Sequence, residues 1–575
     1  MPIDILVRNG KIIDGSGSVA YESDIVIEHG KIKGIGQFSN IEAANVIDVR
    51  GKTICPGFID IHTHNDLYMN RDNLPKLFEP FIRQGITTCV TGNCGWGVAP
   101  VSERNRQLFL NTVAGMDVSI DKPFEWESID EFLTFIDRKG PVMNMAHLVP
   151  HGPLRMMVMG IKNTSASQDD ILQMQTLLRE GLEAGCYGFS TGLQYYPGLY
   201  SDTNELIKLN AICGKYGGRY ASHLRAYCTN FPYAVSEAIE IARKGGTGLQ
   251  ISHFHARPFF GNKATLFYRL VGLIEAVNGI MSIPALPNKA LATAIEMVDE
   301  ASKEGLDFGM DMVPYIMANT TIAMLFPPWS LIGGTDAFIN RLTDKNTWQA
   351  IKRDMQTITP QWPLEGERAW SNSYVYAIGW HVIRVLSVQT EENRNLEGKT
   401  FVEIANERNI DPWEVVRQIA IEEKARVMIL SGFPPRPWIE KIFSSLFSHP
   451  QMSVMCDSIL PQVGKPPQST YGTFPRYFGH YVRELKLMDF PEAIRKSTSL
   501  PASRYGIKDR GLVREGYSAD LVVLDENNIR DMSSFDNPEV NPLGIEAVIV
   551  NGKIVLNEGT YYPDANAGRV LRKGY

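Results

Sequence analysis

The sequence predicts an α/β fold: a (β/α)8 barrel of the TIM type, a small β-sandwich domain made from both termini, and an inserted subdomain near the barrel mouth. Three observations predict it. The middle of the 575-residue chain alternates short apolar runs with helical patterns, which is the signature of repeated β-α units. Both ends instead carry short strands set around Gly and Asn turns. The stretch from 314 to 452 is too long for one connection between barrel elements.

At the amino end, "DILVRNGKIID", "SDIVIEHGKIKGIG" and "ANVIDVRGKTICPG" read as strands, and near the carboxyl end "ADLVVLDENN" and "IEAVIVNGKIVLNEG" repeat the pattern. Residues 1–55 and 501–575 are therefore assigned to one β domain, with the barrel as residues 56–500 between them. Eight runs are candidate barrel strands: "GFIDI" (57–61), "ITTCV" (86–90), "NMAHLV" (144–149), "YGFS" (187–190), "RYAS" (219–222), "LQIS" (249–252), "DFGMDMV" (307–313) and "SVMC" (453–456). Helical segments separate them, among them "DDILQMQTLLREGLEAG" and "AVSEAIEIARKGG", the latter closing on glycine caps. The insertion, within about 316–450, holds aromatic and proline clusters ("LFPPWS", "TPQWPLEGERAW") and the helical pattern "DPWEVVRQIAIEEKARVM".

Composition narrows the function classes. A net charge of −7 and the lack of any Lys/Arg block leave no footprint for nucleic acid. No window approaches the ~20 apolar residues that span a bilayer. The amino terminus lacks the charged and apolar regions of a signal peptide. The seven cysteines, at 55, 89, 94, 186, 213, 228 and 456, are few, scattered and odd in number. That pattern fits a reducing, cytoplasmic protein rather than a disulfide framework. A homo-oligomer is compatible with all of this.

Chemistry collects at the strand ends. His62 and His64 follow the first strand in "FIDIHTHND", and residues two apart on an extended segment point to one side. Cys94 lies past the second strand in "TTCVTGNCGWGVAP", among glycines that let the backbone approach a ligand. His223 lies past the fifth ("YASHLR"), His253 past the sixth ("QISHF") and Asp457 past the eighth ("VMCDS"). Taken singly, each is more often a satisfied core histidine, a buried thiol or a cap. Metal-ligand types on five strands of one rim are hard to obtain by chance, and a barrel presents its chemistry at that rim.

The chain resembles the amidohydrolase superfamily and, within it, the D-aminoacylase (N-acyl-D-amino-acid deacylase) family. The matching segments include "PGFIDIHTHND", "TGNCGWGVAP", "HGPLRMMVMG", "GFSTGLQYYPG", "SHLR", "QISH", "GTFPRYFGHYVREL" and "TSLPASRYGIKDRGLVREGYSADLVVLD", spread over nearly the whole chain. The resemblance implies that His62, His64, Cys94, His223, His253 and Asp457 bind zinc. Many binuclear relatives bridge their metals with a lysine on strand four; here that strand ends in "GFSTG", and the family's substitute is the cysteine thiolate. Cys94, His223 and His253 would then hold one zinc tightly, and His62, His64 and Asp457 a weaker second. The implied reaction is hydrolysis of an amide C–N bond in a small-molecule substrate. Metal lowers the pKa of water, and Asp457 is the catalytic proton carrier. Tyr195 and Tyr315 match family tyrosines that contact substrate, and Arg225, His151 and His255 are further candidates.

Two departures bear on the substrate. Where D-aminoacylases have a lysine shortly after the sixth-strand histidine, this chain has His255. Where they have an arginine for the substrate carboxylate, it reads "KPPQSTYGTFPR", with Lys465, Gln468 and Ser469 but no arginine. The expectation is a deacylase whose substrate is bulkier or lacks the usual α-carboxylate; "TLFYRLVGLIEAV" and "AMLFPPW" would suit an apolar one. The alternatives are a cyclic-amide hydrolase of the dihydropyrimidinase or hydantoinase kind, and an enzyme that runs amide formation in reverse. More distant are a serine hydrolase using Ser190 in "GFSTG" and a non-catalytic barrel. The serine reading needs a helix directly after Ser190, whereas "LQYYPGLYSD" is loop-like.

Overall fold

The computed structural model describes residues 3–574 apart from 40, 114–123, 265, 268–287, 363, 365–367, 372, 433–436 and 462. Most of "TLFYRLVGLIEAV" lies outside the described residues.

All eight expected barrel strands form, as Phe58–Asp60, Ile86–Thr91, Asn144–His147 with Val149–Pro150, Gly188–Gly192, Arg219–His223, Gly248–Ile251, Phe308–Met312 and Met452–Val454. They pair in sequence order and in parallel. Two seams interrupt the ladder. The carboxyl-terminal strand Val570–Leu571 pairs with Met145 and Ala146, so the third strand meets the fourth only beyond Leu148. At the other seam, Asp457 N–H donates to the His62 carbonyl at 3.0 Å and joins strand eight to strand one. The third strand thus also holds the tail of the chain, which the sequence reading had given to the β domain.

The helices between strands start and stop on local signals. Gln168–Glu183 opens on a capping box in which Ser167 accepts from Asp170 N–H. Phe231–Gly245 stops at Gly246, which adopts φ 69°. Among the described residues, strands from both chain ends form one nine-stranded sheet. It curls until Ile32 N–H donates to Tyr517 O, and it encloses an apolar cluster that includes Ile5, Val7, Ile25, Leu521, Val523 and Ile549.

Between barrel strands seven and eight stands a three-stranded antiparallel sheet. The strand Met428–Gly432 is its centre, flanked by Met317–Thr321 and Ile383–Ser387. Helices pack on it around their own core, with Trp348, Trp380, Val385, Ile404, Val415 and Ile419. One of them, Pro412–Glu422, begins at Asp411, whose carboxylate accepts from Glu414 N–H at 2.8 Å. It is shorter than the sequence pattern predicts. Lys424 and Ala425 turn left-handed at φ 49° and 58°, and the apolar Met428 belongs to the sheet.

Candidate metal centre

The first strand delivers His62 and His64 to the rim, and both are buried. Cys94 stands on a turn that its neighbours leave little freedom. Gly92 has φ 74°, and a Cβ there would lie 2.3 Å from Leu148 O. A Cβ on Gly192, at the end of strand four, would lie 1.9 Å from Cys94 O. Both positions therefore require glycine. Ser190 ties the same turn down: its hydroxyl donates to Gly92 O and accepts from Gly95 N–H at 3.1 Å. Ser190 is fully buried in mid-strand, so it is not the exposed nucleophile that a serine hydrolase requires.

The structure brings all six expected donors together. Cys94 Sγ is 3.2 Å from His62 Nε2 and 3.6 Å from His253 Nε2. Asp457 Oδ1 is 3.5 Å from His62 Nε2 and 3.2 Å from His64 Nε2. Three sets of three, His62–His64–Cys94, Cys94–His223–His253 and His62–His253–Asp457, each place their donor atoms within 4.8 Å of one another. Cys94, His253 and Asp457 all have positive φ, at 53°, 38° and 47°. For non-glycine residues this is uncommon backbone, and it collects at sites the surroundings hold in place.

The electrostatics suit a cation. Burial pushes the Cys94 thiol up, but the charge on His62 and the imidazoles of His223 and His253 outweigh it and hold the thiol well below its usual range. Burial likewise pushes the Asp457 carboxyl up, and His62 and His64 bring it below the usual carboxylate value. Against its burial, His64 is pushed up to about 9 by Asp457 and Cys94. A thiolate and a carboxylate thus face histidines in a buried space. Zinc favours this donor set, Cys S⁻, His N and carboxylate O. His223 fits it further, because Gln194 Oε1 engages its Nε2 at 3.1 Å while its Nδ1 is buried without a hydrogen-bond partner.

Residues that sequence reasoning missed hold the donors in place. Asp311 on strand seven accepts from His253 N–H at 2.7 Å, lies 3.5 Å from His62 Nδ1, and accepts from Gln250 Nε2 at 2.7 Å. Asp60 accepts from the backbone N–H of His62 and of Cys456, and burial raises its carboxyl to about 7. Asp66 accepts from Gly92 N–H at 3.2 Å. The available signal was acids inside or just after apolar strands, where an unpaired carboxylate is costly.

The substrate candidates divide. The Tyr195 ring lies 4.6 Å from that of His223 and 4.3 Å from that of Trp96, forming a wall beside the donors. His255 and Tyr315 line a cavity of about 50 Å³ with His253 and Asp457, walled by Met317, Ala318 and Ser431 of the three-stranded sheet. The Tyr315 hydroxyl donates to Asp531 Oδ2 at 2.7 Å, which leaves its ring as the cavity wall. The other two lie elsewhere. His151 is fully buried, with Nε2 on Glu205 Oε1 at 2.8 Å. The Arg225 guanidinium pairs with both oxygens of Glu237, and its carbonyl holds Gln194 Nε2 at 3.3 Å. Lys465 is exposed and donates to Asp536 O at 2.7 Å.

Several known proteins resemble this chain in sequence and fold. The profile of the amidohydrolase family matches residues 461–556. A D-aminoacylase of Alcaligenes xylosoxydans xylosoxydans is 29% identical over 576 residues, covering 100% of this chain and 98% of its own. The crystal structure of N-acyl-D-glutamate deacylase from Bordetella bronchiseptica, complexed with zinc and a phosphonate inhibitor, has a TM-score of 0.77 at 26% identity and covers both chains fully. A D-aminoacylase structure described by its binuclear metal centre, with one-metal activation and second-metal attenuation, gives 0.73 at 26% identity, again over both full chains. By sequence and by fold, along its entire length, this chain is similar to the D-aminoacylases.

Proposed function

We propose that the protein is a zinc-dependent amidohydrolase that cleaves the linear amide bond of N-acyl-D-amino acids. One observation carries this: Cys94, His223 and His253, from three different strands, place their donor atoms within 4.8 Å of one another. Asp457 meanwhile stands against both His62 and His64. Cys94, His223 and His253 would hold the first zinc, and His62, His64 and Asp457 a second. Bound zinc supplies Lewis acidity for the scissile carbonyl and for water.

The rest is work for the chain's own groups. Asp457, held ionised by His62 and His64, accepts the proton of the attacking water at Oδ1 and passes it to the departing nitrogen. Asp311 fixes the backbone of His253 and faces His62, so two donors on different strands keep one register. Met312, Val313, Ile316 and Ile378 give part of the cavity an apolar lining, which favours an apolar substrate side chain. The seven cysteines are unpaired and buried, in keeping with action in the cytoplasm. Among the described residues no helix is long and apolar enough to cross a membrane.

The test is metal analysis of the wild-type protein and Cys94→Ala, with turnover of a panel of N-acyl-D-amino acids, cyclic imides and bulkier amides. The expected result is bound zinc and D-selective deacylation in the wild type, with both lost in the variant. Full activity without bound metal would sink the mechanism, and turnover of cyclic imides alone would replace the substrate class.

A further inference from the structure

The cavity beside the donors contains a cation that neither the sequence reading nor the reaction above uses. Arg257 lines it together with His253, His255, Tyr315, Ser431 and Asp457, and it is the one Arg or Lys among the described lining residues. Its surroundings orient it without neutralising it. Nε donates to His255 Nε2 at 3.3 Å, Nη1 donates to Ser431 Oγ at 2.8 Å, and the guanidinium stacks 4.4 Å from the Tyr374 ring centroid. Those acceptors are neutral: His255 Nδ1 donates to His253 O at 2.6 Å, which leaves Nε2 of an uncharged ring to accept from Arg257. Among the described residues no carboxylate lies within ion-pairing distance of Arg257, although Arg225, Arg219 and Arg510 each have one. Nη2 has no protein partner among those residues. A half-buried guanidinium that is fixed on three sides and has no counter-ion among the described residues is a preorganised fork for a carboxylate.

We propose that Arg257 is the specificity-determining residue that binds the substrate's carboxylate, with His255 and Ser431 positioning its guanidinium. The proposal rests on the deacylase reading above. A neighbouring cavity that shares Tyr315, Met317 and Asp457 is lined by Gln468 and Ser469 and, among its described lining residues, by no Arg or Lys, while Lys465 donates to Asp536 O at the surface. The absence of an arginine near residue 469 therefore does not remove the carboxylate from the substrate. It moves the recognising charge to the segment after strand six.

The test compares an N-acyl-D-amino acid with its neutral carboxamide on the wild type, Arg257→Gln and Arg257→Lys, reading kcat/KM for both and dissociation constants by calorimetry. The wild type is expected to prefer the carboxylate by roughly 10- to 100-fold, the worth of charge-assisted hydrogen bonds. Arg257→Gln should bring that ratio close to one, through KM more than kcat, and Arg257→Lys should restore part of it. A ratio unchanged in Arg257→Gln overturns the proposal, as does a wild type without preference, while hydrolysis of both compounds would leave the deacylase reading standing. Conversely, a wild type that hydrolyses neither compound but binds the carboxylate more tightly, in an Arg257-dependent way, overturns the deacylase reading and keeps the clamp.

Discussion

The amide oxygen of Gln194 lies 3.1 Å from Nε2 of His223, and this contact decides which imidazole nitrogen is left for a metal. An amide oxygen only accepts, so it selects the tautomer with the proton on Nε2 and leaves Nδ1 as the nitrogen that the proposed zinc would take. Gln194 is itself gripped twice, by the Tyr374 hydroxyl at 3.0 Å and by the Arg225 carbonyl at 3.3 Å. Arg225 thus serves the site through its backbone, one step behind a proposed ligand. Gln194→Leu should weaken zinc binding by roughly 10- to 100-fold while leaving the fold in place. Competition with a chromogenic chelator measures it, and zinc affinity equal to wild type would show that His223 is oriented by something else.

Ser190 supplies a sharp contrast between two chemistries. Its hydroxyl bridges Gly92 O and Gly95 N–H, and so fixes the turn that presents Cys94. As a nucleophile its removal would abolish activity; as a buried tie its removal leaves two backbone groups unsatisfied. Ser190→Ala should cost about 1–3 kcal/mol of stability and reduce turnover by less than about tenfold. Urea unfolding and steady-state kinetics give both numbers. Loss of activity to the background rate, with zinc content and stability unchanged, would restore the serine mechanism.

The barrel and the donors were legible because each rests on short-range rules. An apolar run of a few residues fixes a strand, and the residues within about four positions of its end must reach the rim whatever the rest of the chain does. That is how His62, His64, Cys94, His223, His253 and Asp457 came together from sequence alone. What supports them was not legible. Asp311 sits inside an apolar strand, and only its place in the closed set of strands shows that it meets His253 and His62. The surroundings of His151 were hidden for the matching reason: it opens a helix, and strand position does not show that its Nε2 meets Glu205. Arg257 was passed over because its meaning lies in what fails to pair with it, and no local pattern encodes that.

Below the rim, His151, Glu205 and Arg155 form a buried network with a predictable response to acid. Glu205 accepts from His151 at 2.8 Å and from Arg155, and all three side chains are fully buried. Burial pushes the Glu205 carboxyl up, but His151 and Arg155 outweigh it and hold it below its usual value. Burial lowers His151, more than Glu205 raises it. Both shifts act in one direction. As pH falls below about 6.5 the unfolded chain protonates this histidine while the folded chain resists, and stability declines. As pH falls further, through the depressed Glu205 value, the contribution of that carboxylate is lost as well. His151→Gln should therefore lose less stability than wild type between pH 7 and pH 5. Glu205→Gln, which strands the Arg155 charge in the interior, should cost roughly 3–5 kcal/mol at pH 7. Urea unfolding at the two pH values tests both, and equal pH dependence in wild type and His151→Gln would mean that this histidine titrates alike in the folded and unfolded chain.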